Sequence, residues 1–397
     1  MESLKELRTR LKSLTVFREL RCDPVISALI SYLDTTDGDT EAAADAYAAF
    51  VAEVYSTNSA HLGEHVRELC YNSENVYVKR LGCKKTPPES MCEAVKYELE
   101  TLQRVSELTP SVLIPEGMNG ITLPAFESGG ISLTDGYTYR CDNIGRYGYG
   151  IYARNHMFYL SADAHIIPVR HPDGTTLDSL VDYESQRKVI IDNTRALLEG
   201  RPAANVLLTG DAGTGKSSTV KAVANALYPE GLRIIEVRKD QLYLLPQILD
   251  ELAENPLKFI LFIDDLSFGK DDDNFSALKA VLEGSVSSKS NNVVIYATSN
   301  RRHIVKEKFS DREGDDIHRN DTMQELVSLS ERFGLHVTFV KPNKETYLHI
   351  VKSLADSAGV TMAEDELTLL AERFALERGG RSARLARQFV DRLLAER

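Results

Sequence analysis

One octapeptide constrains this chain more than any other feature: Gly210-Asp-Ala-Gly-Thr-Gly215-Lys216-Ser217. It satisfies the pattern G-x-x-x-x-G-K-[ST] at every fixed position. The apolar run Val206-Leu-Leu-Thr209 precedes it. Val220, Val223, Ala224 and Leu227 follow at i, i+3, i+4 and i+7, the spacing of an amphipathic helix. Strand, glycine loop and helix in that order predict an α/β fold with a phosphate-binding loop at the end of a parallel strand. The glycines let backbone N–H groups turn toward phosphate oxygens with no Cβ in the way. The helix N-terminus adds partial positive charge at the same point. The expected phosphate site is therefore Gly210, Asp211, Ala212, Gly213, Thr214, Gly215, Lys216, Ser217 and the adjoining Ser218. Lys216 is expected on the β- and γ-phosphates and Ser217 on Mg²⁺.

A phosphate loop needs a metal carboxylate from the end of another strand. Phe259-Ile-Leu-Phe-Ile-Asp264-Asp265 supplies one. Asp264 is expected to hold Mg²⁺, directly or through water, and Asp265 to polarise the attacking water. The competing reading is a surface acidic pair. Asp271, Asp272 and Asp273 read as a solvated loop, and His156, His165 and His171 lack the spacing of metal ligands.

The rest of the chain divides by pattern. Residues 1–115 read as mainly helical, with Leu4, Leu7 and Leu11 on one stripe and an Ala-rich stretch from Glu41 to Tyr55. Residues 116–174 are dense in Gly and Tyr and read as short strands and turns. Residues 175–341 alternate strands (205–209, 233–237, 259–263, 292–297, 336–340) with helical patterns, as a sheet covered on both faces requires. Residues 342–397 carry three amphipathic helical patterns and read as a small bundle. The core is expected to be separable from about residue 175.

Composition bounds the partners. Across 397 residues, 47 Lys and Arg stand against 59 Asp and Glu, a formal net charge of −12. That argues against a general nucleic-acid coat or a membrane-surface binder, which need an excess of basic residues. No apolar stretch is long enough to span a bilayer. The five cysteines, Cys22, Cys70, Cys83, Cys92 and Cys141, are scattered and odd in number. They read as reduced thiols of a cytoplasmic protein.

Taken together, the phosphate loop, the Asp264-Asp265 strand end, the Thr298-Ser299-Asn300 strand end and the helical tail resemble AAA+ ATPases from about residue 175 onward. Longer phrases resemble one uncharacterised bacterial AAA+ family of unknown function: Phe262-Ile-Asp-Asp-Leu-Ser-Phe268, Tyr296-Ala-Thr-Ser-Asn-Arg-Arg-His303, Ser330-Glu-Arg-Phe-Gly334 and Arg381-Ser-Ala-Arg-Leu-Ala-Arg-Gln-Phe389. The resemblance implies ATP and Mg²⁺ as ligands and ATP hydrolysis as the activity. It implies roles for Asn300 as sensor 1, Arg332 as an arginine finger, Arg381 as sensor 2 and Leu180-Val181 as the adenine contact. It also implies a homo-oligomer, a hexamer or open ring joined through Arg332, acting on a protein client that the sequence does not identify. Arg301 and Arg302 read as solvated or ion-paired. In the aromatic pore-loop region of translocating relatives stands Tyr243-Leu-Leu-Pro246, which also fits a packed connection. One position departs from the family. Most AAA+ motors have Glu where this chain has Asp265, and the shorter arm must approach the water more closely. A nucleotide-gated binding module with negligible turnover is therefore the second reading, and a small-molecule kinase the third.

Overall fold

A computed structural model of the chain describes residues 4–35, 40–114, 122–266, 273–283, 291–300 and 331–395. The expectations for Arg301, Arg302, Asp271 and Asp272 fall outside the described residues. Two compact units divide the chain, Met1–Arg154 and Asn155–Arg397.

The first unit is helical. Its longer helices are Leu4–Lys12, Pro24–Thr35, Thr40–Tyr55, Leu62–Asn72, Val76–Gly82, Glu89–Ser106 and Leu133–Asp142. They bury one core that includes Leu11, Phe17, Ile26, Tyr47, Phe50, Val66 and Leu102. Inside it, the Glu98 carboxylate accepts the backbone N–H groups of Thr15, Val16 and Phe17 at 2.8–3.1 Å. A buried carboxylate with several backbone donors is satisfied and structural.

The Gly/Tyr-rich stretch differs from its expected β character. Leu133–Asp142, Ile144–Tyr147 and Ile151–Arg154 are helical, and among the described residues of the stretch only Met157–Leu160 (β1) and Ile166–Pro168 (β2) are strands. The glycines serve packing and helix ends instead of strand turns. A Cβ at Gly136 would collide with the Tyr71 hydroxyl. Gly148, at φ 66°, ends the helix Ile144–Tyr147. Leu133 and Tyr137, four apart, supply the buried stripe that a helix needs.

The second unit is built on a seven-stranded sheet. After β1 and β2 come β3 (Val206–Gly210), β4 (Leu232–Glu236), β5 (Lys258–Ile263), β6 (Val293–Ser299) and β7 (Leu335–Phe339). Their order is β2-β1-β4-β5-β6-β3-β7. All neighbours are parallel except β1 with β2. Leu208, Ile234, Ile260, Tyr296 and Val337 form one core with Ile190 and Leu197 of the helix Glu184–Leu198 and with Val220, Val223 and Leu227 of the helix Lys216–Leu227. The alternate residues Leu207, Ile235, Leu261 and Ile295 are buried too, so both faces are covered. Three further helices, Lys344–Ser357, Glu364–Glu377 and Ala383–Ala395, bury their own core around Tyr347, Ile350, Phe374 and Phe389. They form the C-terminal lid.

The sheet therefore begins at β1 and not near residue 175. Phe158 pairs with Ile235, and Phe158 and Leu160 are almost wholly buried. Removing β1 would expose the apolar edge of β4, a template for aggregation. A fragment spanning residues 155–397 should stay soluble, whereas one spanning 175–397 should aggregate. Size-exclusion chromatography of both fragments checks this.

Candidate nucleotide site

Strand register brings the site together. Thr209 of β3 lies opposite Ser299 of β6, and Ile263 of β5 opposite Ala297. Three adjacent parallel strands thus end at one edge, and the residues that follow them meet there. This is the edge at which open α/β sheets bind ligands. The octapeptide turns there through left-handed glycines, Gly213 at φ 79° and Gly215 at φ 91°. At Gly210 a Cβ would strike the Phe339 carbonyl, so only glycine fits.

Lys216 opens the helix and is 5% exposed. Its ammonium donates to the carbonyls of Gly210 (2.9 Å) and Asp211 (2.8 Å) and to Asn300 Oδ1 (3.0 Å). Burial lowers its pKa, and the nearby carboxylates of Asp211, Asp264 and Asp265 oppose that shift. A partly desolvated ammonium ringed by oxygens is poised for a phosphate. Ser217 Oγ donates to Asp264 Oδ1 at 2.6 Å. With its proton turned to the carboxylate, the hydroxyl keeps its lone pairs for a cation. Among the described residues no cluster of three or more His, Cys, Asp or Glu could hold a metal alone. Ser217 and Asp264 fit Mg²⁺ held jointly with phosphate oxygens.

Asp265 follows Asp264 in the left-handed region, at φ 52°. Asn300 Nδ2 donates to Asp265 Oδ1 at 2.7 Å. Thr298, which the sequence reading quoted without giving it a role, lies between the two acids. Its hydroxyl donates to Asp264 Oδ1 at 2.5 Å and accepts the Asp265 N–H at 2.9 Å. The chain Ser217–Asp264–Thr298–Asp265–Asn300–Lys216 is thus continuously hydrogen-bonded.

These groups line a cavity of 510 Å³. Leu180 and Val181 line its other part, with Tyr183, Ile350 and Leu354. Val181 also packs on the lid core. An apolar wall facing a polar phosphate end is the shape a nucleotide requires. The residue expected as sensor 2 stands apart from the cavity lining. Arg381 is held by both oxygens of Glu372, at 2.9 and 2.6 Å, and does not line the cavity. That pairing holds the Glu372 carboxyl below the usual range. Arg384 and Arg387 line the cavity instead, and the Arg384 N–H donates to the Gly213 carbonyl at 3.1 Å. All three arginines sit at or near the start of one helix, so their spacing alone did not separate them.

Arg332 stands elsewhere. It precedes β7, whose Leu335 pairs with Val206 at the far end of β3 from Gly210. At roughly 3.3 Å per residue, that strand alone separates it from the loop by about 13 Å. Arg332 Nη2 lies 2.8 Å from Glu283 Oε1. It does not line the nucleotide cavity.

A phosphate loop after a parallel strand, an acidic pair after β5 one strand beyond its neighbour β6, and a three-helix lid define a P-loop fold of the AAA+ type. Within that class, the chain belongs to the family described as "Protein of unknown function (DUF815)", which matches residues 153–397. No curated protein matches the sequence. Among solved structures, it is similar to the RuvB Holliday junction branch migration motor of Thermotoga maritima, at 17% identity and a TM-score of 0.36, over 55% of this chain and 63% of that one. Two point variants of the same motor align at 16% identity with TM-scores of 0.37 and 0.38, each over 55% of this chain and 64% of that one. The chain thus spans less than two thirds of the length of these structures.

The two lid arginines should separate in solution. Removing one charge-assisted contact costs about 1.5–3 kcal/mol, roughly 10- to 100-fold in affinity. Arg384→Ala should weaken ATP binding on that order. Arg381→Ala should leave affinity unchanged and lower the melting temperature. Calorimetric titration and thermal unfolding of both variants check the assignment.

Proposed function

We propose that the protein binds Mg-ATP and hydrolyses it to switch or remodel a protein client. The observation that carries this reading is the hydrogen-bonded chain from Ser217 to Lys216, which gathers a phosphate-binding ammonium, a metal-holding pair and a water-orienting pair. Lys216 would bind the β- and γ-phosphates, and Arg384 would join them from the lid. Ser217 and Asp264 would hold Mg²⁺, which when bound neutralises charge on the phosphate oxygens. Asp265 and Asn300 would orient a water for attack on the γ-phosphorus. The new P–O bond forms as the bond to the β-bridging oxygen breaks, the water's proton leaving toward Asp265, with ADP and phosphate as products. Positioning and electrostatics suffice for such a reaction.

Leu180 and Val181 would take the adenine. The helical unit Met1–Arg154 would recognise the client. The acidic net charge supports a protein client over nucleic acid. No helix among the described residues is long and apolar enough to cross a membrane. Cys22, Cys70, Cys92 and Cys141 are free thiols, which supports a cytoplasmic setting.

The position of Arg332 supports assembly. Lying beyond the reach of its own phosphate loop, it would serve catalysis only by entering a neighbour's site. A heterologous interface of that kind closes into a ring, a hexamer, or remains an open spiral. Asp265 favours a second reading, a nucleotide-gated scaffold, because its short carboxylate is already engaged by Asn300.

Steady-state phosphate release separates the two. Asp265→Asn should retain ATP binding while release falls by a factor on the order of 10². Lys216→Ala should lose most of its ATP affinity by calorimetry. Wild-type protein that binds ATP without releasing phosphate would favour the scaffold. Arg332→Ala should bind ATP yet not hydrolyse it. Mixing it with Lys216→Ala should restore part of the activity, because some interfaces then pair two intact halves. Full activity in Arg332→Ala would remove both the finger and the ring.

A further inference from the structure

The geometry points to Thr298 as the positioning residue that couples the metal carboxylate to the water-orienting one. The inference rests on the Mg-ATP reading of the site and assigns a role to a residue outside the expected set.

The hydroxyl of Thr298 has one proton and two lone pairs. Its proton goes to Asp264 Oδ1 at 2.5 Å, and it accepts the backbone N–H of Asp265 at 2.9 Å. The side chain is held on all sides: Thr298 is 2% exposed, and its carbonyl accepts the Leu266 N–H at 2.7 Å. Its backbone pairs with Leu208 in the middle of the sheet. The hydroxyl thus occupies a fixed point, set by the register of β3, β5 and β6.

Two consequences follow from that fixed point. Asp264 Oδ1 receives two hydroxyl protons, from Ser217 and from Thr298. Both donors stand on rigid elements, so the carboxylate plane is set before a cation arrives. Asp265, in turn, adopts φ 52°, a region that non-glycine residues seldom occupy. The hydrogen bond from its N–H to Thr298 helps hold that turn, which aims the carboxylate at Asn300. One hydroxyl therefore holds the metal carboxylate and the backbone of Asp265 in fixed relation to each other.

Valine removes the hydroxyl and keeps the branched shape. The test measures ATP affinity by calorimetry with Mg²⁺ and with excess EDTA, together with kcat and KM, for wild type, Thr298→Val and Thr298→Ser. Losing a group that orients a metal ligand costs roughly 10- to 100-fold in metal affinity or activity. Thr298→Val should keep the EDTA affinity within about twofold and lose most of the gain in affinity that Mg²⁺ gives wild type, on the order of tenfold. Its KM for Mg-ATP should rise with that loss, and its kcat should fall as well. Thr298→Ser, which keeps the hydroxyl, should recover both. If the valine variant does not fold, Thr298→Ala carries the same expectation.

A valine variant with the wild-type Mg²⁺ response would overturn the inference. So would a serine variant as impaired as valine, since the methyl group and not the hydroxyl would then matter. Wild type that binds no ATP would defeat the nucleotide reading and this inference with it. Wild type that binds Mg-ATP without hydrolysing it would defeat only the hydrolytic reading, because the Mg²⁺ arm still decides the role of Thr298.

Discussion

The register of three parallel strands sets the site. Because β3, β5 and β6 lie side by side with their C-terminal ends level, the phosphate loop, the acidic pair and the Thr298–Asn300 turn leave the sheet at one edge. A parallel sheet with both faces buried allows little slippage, since a one-residue shift would send every core side chain to the opposite face. The apolar runs that fill the core therefore fix the polar groups that follow them. The geometry of the site thus depends on the packing of the strands beneath it.

That dependence explains what could be read from the chain. Gly210–Ser217, Asp264, Asp265 and Asn300 each sit at a strand end marked by an apolar run, and their convergence follows from parallel pairing alone. Leu180 and Val181 also line the expected cavity. Arg384 was not legible, because Arg381, Arg384 and Arg387 recur every three residues and only the placement of Glu372 decides which one is diverted. The helices over Leu133–Arg154 were not legible either. Their glycines meet long-range needs, such as the approach of Tyr71 to Gly136, that local pattern does not encode. Strands β1 and β2 extend the sheet upstream of the expected boundary, and that boundary lay in a loop, not at the edge of a core.

The lid, the base-side segment and the phosphate loop share contacts. The Arg384 N–H meets Gly213 within the loop. Val181 lines the cavity and packs on the lid core, and the neighbouring Asp182 carboxylate lies 3.1 Å from His349 Nδ1 of the lid. Asp182 and Tyr183 are consecutive left-handed residues, at φ 60° and 64°. Strained backbone of this kind persists only where its surroundings over-determine it. Here it is held by His349 and by the Tyr183 hydroxyl on the Val340 carbonyl at 2.7 Å. A ligand that engages the loop and the base-side segment together therefore also acts on the lid.

The same logic accounts for an aspartate at position 265. The turn after β5 must reverse sharply if its carboxylate is to face Asn300 across the edge of β6, and it does so through a left-handed residue. Among side chains other than glycine, Asp and Asn are several-fold enriched in that region, because a short polar arm can bond locally. A glutamate would bring a longer arm to a conformation it adopts less readily, while Thr298 would still fix the backbone. The short carboxylate and the left-handed turn thus suit one another.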